Sequence, residues 1–129
     1  MPVTVVVAVE HPAVREGACA VLGHVDGVRL VGEADTLRRA VRMVRELQPE
    51  VLVLGSRFAG VSSLPELSQF SEAAPGTRIV LVSMNDSPDY ARHVRALGAD
   101  ALVQTDRLAD DLEPVVHAVR AARRQPAHA

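Results

Sequence analysis

Glu10, Ser56, Arg57, Ser83, Asn85 and Thr105 are the side chains whose types and positions could do chemistry together, because each lies just past a short apolar run. Arginine offers a forked donor and hydroxyls add short contacts, so Arg57 with Ser83, Asn85 and Thr105 could hold a phosphorylated or carboxylated group. The plainer reading of the same residues is a solvated rim. Glu10 could bind a divalent cation or a cationic ligand, or could simply sit favourably at the positive end of a following helix. Ser56 could act as a nucleophile, yet no base adjoins it and a serine is weak without one. Between these groups stand Val9 and Gly55, which have nothing to react with. The five histidines, His11, His24, His93, His117 and His128, have no metal-binding spacing with one another or with Cys19. No glycine-rich phosphate loop and no GxSxG elbow occurs, so nucleotide-binding enzymes and α/β-hydrolases have no motif here.

Composition narrows the classes further. The 129 residues are 48% hydrophobic and 23% charged, which suits one globular domain with a real core. A net charge of −2 gives none of the basic field that dominates nucleic-acid affinity. All 14 basic residues are arginine, so any mechanism that needs a lysine is excluded. No apolar run reaches the roughly 18 residues needed to span a bilayer, and MPVTVVVAVE lacks the basic flank and cleavage pattern of a signal peptide. The expectation is a cytoplasmic protein with no membrane association. Cys19, the single cysteine, lies among small and apolar residues and reads as a buried small hydrophobe.

The elements that must position these groups are legible. Apolar runs recur at Val3 to Ala8, Val28 to Val31, Val51 to Leu54, Ile79 to Val82 and Ala101 to Val103. They are continuous, as in strands of a parallel sheet covered on both faces. Helical spacing separates them, most clearly at Leu37, Ala40, Val41, Val44 and Leu47 after a cap at Asp35 or Thr36. Pro12 after His11, a capping box from Ser63 to Glu66, and Ser87 before Pro88 mark other helix starts. The last helix is expected to start near Asp110 or Asp111, which would put Pro114 in its first turn. The predicted order βαβαβαβαβα gives a doubly wound (βα)5 α/β fold with a parallel five-stranded sheet of order 2-1-3-4-5. Its crevice lies outside the carboxyl ends of the first and third strands, where Val9, Glu10, Gly55 and Ser56 fall.

With these residues placed, the chain resembles the receiver domain of bacterial two-component response regulators of the NarL/FixJ type. The likeness rests on EHPAVREG at 10–17, VGEADTLRRAV at 31–41, the Pro49 to Leu54 run, MNDSPDY at 84–90 and RALGADALV at 95–103. It implies a flavodoxin-like receiver fold over residues 1–124, with 125–129 a tail or the start of a linker. Carried over residue by residue, the family's phosphorylation pocket falls on Val9, Glu10, Gly55, Ser56, Arg57, Ser83 and Thr105. Of the acidic pair that helps to hold Mg²⁺, only Glu10 remains. Gly55 stands where the phosphoacceptor aspartate is expected, and no Asp occurs between Asp35 and Asp86. Thr105 replaces the family's lysine, Leu102 its aromatic switch residue, and Ala59 a loop proline.

The reading that follows is an atypical, phosphorylation-independent receiver: a signalling and interaction module tied to transcription regulation, and not an enzyme. No cofactor and no metal is expected, Glu10 being only a weak cation candidate. The alternative is a receiver whose small-molecule effector occupies the altered pocket. A homodimer is predicted, with Arg92, Arg95, Asp100, Asp106, Arg107, Asp111 and Arg120 pairing reciprocally, alongside a regulatory protein partner or an effector. Nucleic acid would be reached only through a separate DNA-binding domain outside this chain.

Overall fold

A computed structural model describes residues 2–58 and 67–122. Five parallel strands alternate with helices: β1 (Val3–Ala8), α1 (Pro12–Gly23), β2 (Val28–Ala34), α2 (Leu37–Leu47), β3 (Val51–Gly55), α3 (Ser68–Ala73), β4 (Arg78–Ser83), α4 (Pro88–Ala96), β5 (Ala101–Gln104) and α5 (Leu108–Ala121). The sheet order is β2-β1-β3-β4-β5, the order predicted for a doubly wound fold. Each face of the sheet carries its own core. Val3, Val5, Val7, Val53, Val80 and Val82 pack with α1 and α5 on one side. Val6, Ala8, Leu52, Leu54, Ile79 and Leu81 pack with α2, α3 and α4 on the other. Alternate residues of one strand thus serve opposite layers, which is why the runs read as continuously apolar.

Several local signals work as their chemistry requires. Thr36, not Asp35, caps α2, its hydroxyl accepting from Arg39 N at 3.2 Å. Ser87 caps α4 by accepting from Tyr90 N at 3.1 Å, with Pro88 at the first helical position. His11 opens α1, its Nδ1 accepting from Val14 N at 3.4 Å. Gly98 leaves α4 at φ +117°, a left-handed conformation that favours glycine.

Three expectations need correction or extension. Helix α5 begins at Leu108, after a 3₁₀ turn over Thr105–Arg107, so Pro114 lies inside the helix and not in its first turn. Leu108, Leu112, Val116 and Val119 form one buried stripe on α5. Burying a leucine contributes about 1.5–3 kcal/mol, comparable to the roughly 3 kcal/mol an interior proline costs. Strand β2 continues past Val31 to Ala34, and its register with β1 jumps from Leu30 to Gly32. A Cβ at Gly32 would come within 2.5 Å of Met43 Sδ on α2, so a larger residue there would require the flexible Met43 side chain to move. The Ser63 to Glu66 capping box lies outside the described residues, and Leu67 precedes α3 without a side-chain cap.

Candidate functional site

The carboxyl ends of β1, β3, β4 and β5 meet along one edge of the sheet, and the predicted site residues are distributed there. Ala8 pairs with Leu54 and Gly55 with Val82, so Val9 and Gly55 continue neighbouring strands. They are the pair that the structure brings into contact. Val9 is 3% exposed, and a Cβ built on Gly55 would meet Val9 Cγ1 at 3.4 Å and Cγ2 at 3.6 Å. The floor of the site is therefore closed by the isopropyl group of Val9 resting over a glycine. No charge reaches this floor from either residue.

Around it the polar groups are already engaged with the backbone. Ser83 is 5% exposed and its Oγ accepts from Asn85 N at 3.1 Å. Asn85 Oδ1 accepts in turn from Ser87 N at 3.0 Å, and Gln104 Nε2 donates to Asn85 O at 2.9 Å. Three side chains thereby hold the turn between β4 and α4. Ser56 N donates to Val82 O at 3.0 Å, which fixes the chain leaving β3, while the Arg57 side chain points to an exposed position. Thr105 opens the 3₁₀ turn, half-buried. Leu102 is half-buried and packs on the core under α2, α3 and α4.

Two groups escaped the sequence reading. Arg15, one turn into α1, donates from Nη1 to Val9 O at 2.9 Å and to Glu10 O at 3.0 Å. Its Nε also lies 3.6 Å from Glu33 Oε1 on β2. A fixed guanidinium thus ties down the β1–α1 turn. The only signal for it was an arginine on the α1 side that carries Ala18 and Leu22. Gln104 was the second; as the polar residue directly after the apolar run Ala101, Leu102 and Val103, it was readable as the polar end of β5. Cys19 completes the Arg15–Glu33 cluster, its thiol 3.7 Å from Glu33 Oε2. Burial first, and then the Glu33 carboxylate, push this thiol up to about 11, against an opposing pull from Arg15. Such a thiol stays protonated and unreactive.

The donor set matters for any metal. Among the described residues, no group of three or more His, Cys, Asp or Glu side chains is placed to share an ion. Among them, too, no helix is long and apolar enough to cross a membrane.

Sheet order, helix placement and the strand-end turns together define a doubly wound α/β fold, and sequence comparison gives its family. Residues 5–117 match the response regulator receiver domain, and the chain belongs to that family. It is similar to the oxygen regulatory protein NreC of Staphylococcus epidermidis, 33% identical over 77% of this chain and 46% of NreC. It is also similar to the response regulator GacA of Pseudomonas aeruginosa, 25% identical over 92% of this chain and 54% of GacA. Among solved structures, the signal receiver domain assigned to NarL of Mycobacterium tuberculosis matches with a TM-score of 0.77 at 27% identity, covering 94% of this chain and 98% of that one. The chain spans about half the length of the curated relatives it matches.

Proposed function

We propose that this chain is an atypical receiver that signals without accepting a phosphoryl group. The observation that carries the reading is the buried Val9 beside Gly55, placed so that a Cβ on Gly55 would meet Val9 Cγ1 at 3.4 Å, which puts hydrocarbon where a receiver would keep carboxylates. Phosphoryl transfer to a protein needs a nucleophilic oxygen and a metal to offset developing charge. Gly55 offers no oxygen on a side chain. Mg²⁺ is a hard cation held by carboxylates and water, and of Val9, Glu10 and Gly55 one residue alone is acidic, so the donor set does not fit the ion. No lysine exists to pair with a phosphoryl group, and Leu102 cannot gate as an aromatic ring would.

The function that remains is that of an interaction module. Its link to transcription regulation, through a DNA-binding domain outside this chain, is supported by the response-regulator relatives whose other half lies beyond the match. A cytoplasmic setting follows from that role. The alternative, an effector held at Glu10, Ser56, Ser83 and Thr105, has less support: Val9 fills the floor, and Ser83 is already bonded within its own turn.

A homodimer remains part of the proposal. Arg92 pairs with Asp89, Arg107 with Asp110 and Asp111, and Arg120 with Glu50 within the chain, but such exposed pairs are weak and can exchange for partners across a symmetric interface. Sedimentation at high micromolar concentration tests it, and a monomeric mass would remove the dimer.

The direct test of the central reading is intact mass after incubation with Mg²⁺ and a small phosphodonor such as phosphoramidate. An unchanged mass is expected. A stable phosphate adduct would overturn it.

A further inference from the structure

We propose that the cleft beside α2 docks an acidic segment of a partner protein that carries apolar side chains about one helical turn apart. This cleft of about 600 Å³ is lined by Leu37, Val41, Arg38, Arg42 and Arg45 on α2, with Gln69 of α3 among its walls. Leu37 and Val41 are half-buried and pack on the core beneath, so they form an apolar floor one turn long. The rim is cationic. Glu46 also lines the cleft, but it pairs with Arg42 at 3.3 Å, as Asp35 pairs with Arg39 at 3.1 Å just outside. Among the described residues, Arg38 and Arg45 have no carboxylate partner.

The stability of α2 accounts for Arg45, a cation in its last turn, but not for the arginines of its first turn. Arg38 and Arg39 stand in the first turn, which has no acidic residue, and a cation there faces the positive end of the helix dipole. Solvating the outer face would be served as well by glutamate, which that end prefers. Four arginines against one glutamate over Leu37–Leu47, in a chain of net charge −2, concentrate positive charge around an apolar strip. Carboxylates suit the arginine fork, and the apolar floor suits aliphatic or aromatic side chains between them. Single-stranded nucleic acid would find the charge but no ring to stack on, since the lining contains no aromatic residue. The inference draws on α2 and α3 alone and stands apart from what the strand ends do.

The test is a displayed random-peptide selection on the full chain, counter-selected against R38E/R45E. Enrichment of Asp- and Glu-rich sequences with apolar residues three or four apart is expected. The best selected peptide, labelled and titrated by fluorescence anisotropy, should lose about tenfold or more in affinity on R38E/R45E and lose affinity on Val41→Ser, which leaves every charge in place. R38E relieves the dipole mismatch of the first turn while R45E adds one in the last, so the melting temperature of the double variant is checked first, and R38Q/R45Q takes its place if it falls. No enrichment over the variant, or enrichment of neutral or basic sequences, overturns the proposal. So does tighter binding of a labelled single-stranded oligonucleotide than of the peptide. A dimer that R38E/R45E converts to monomer in sedimentation would assign the cleft to a second copy and overturn it as well.

Discussion

Replacing Gly55 by aspartate would place a Cβ 3.4 Å from Val9 Cγ1 and a carboxylate against an isopropyl group. Burying that charge without a partner is costly, so Gly55→Asp is expected to destabilise the fold by about 1–3 kcal/mol and still to gain no phosphate. Urea unfolding and intact mass check both parts; a phosphorylated single variant would mean that Val9 does not block the site. Adding Val9→Asp to that variant should recover Mg²⁺ binding, visible by calorimetry, by supplying a third carboxylate that completes the acidic pair with Glu10. Cys19 offers an independent check on the same end of the molecule. Its thiol rises from 9.0 to about 11 on folding, so the folded state holds the proton more tightly. The stabilisation is present below pH 9 and lost as pH rises towards 11. Alkylation by iodoacetamide should be slow at pH 8 and faster in Glu33→Gln, which removes the second-largest cause of the shift. At this scale the sequence disclosed which residues sit at the strand ends, because type and order sufficed. It could not disclose Arg15 reaching back to the carbonyls of Val9 and Glu10, since that contact depends on how α1 crosses β1 and β2.

At the scale of elements, α5 is where a local rule lost to packing. Proline prefers a first turn, but Leu108 and Leu112 each gain burial only if the helix starts earlier. Pro114 then has no N–H to give the carbonyl of Asp110, and its ring is exposed. Pro114→Ala is expected to raise stability by about 1–3 kcal/mol, seen as a higher urea midpoint; an unchanged midpoint would mean that the helix already compensates for the missing bond. Helices α2 and α4, by contrast, were readable from Thr36 and Ser87, because a hydroxyl that caps a helix is a purely local device. Strand β2 was read short at Val31 for the opposite reason. Gly32 and Glu33 look like a strand end in isolation, and their pairing with Val6 and Val7 becomes favourable only when β1 lies alongside.

On the whole molecule, the architecture followed from continuous apolar strands alternating with amphipathic helices, and the sheet order from the rules for parallel crossovers. The position of the cleft beside α2 did not, since it depends on how α2 and α3 pack against each other. The result is a receiver whose strand ends carry an apolar plug and a turn bonded to itself, and whose α2 presents Arg38 and Arg45 without a carboxylate partner among the described residues. A two-state switch needs about 5.5 kcal/mol of differential interaction to go from 1:99 to 99:1. On the proposed reading, the usual donor of that energy, a phosphoryl group, would find no side chain at Gly55 to land on. The most direct measurement is the amide NMR spectrum before and after Mg²⁺ and phosphoramidate, read alongside the intact mass. The account predicts that Gly55, Ser83 and Gln104 keep their shifts and that the mass is unchanged. Shifts centred on these residues together with a covalent phosphate would contradict it.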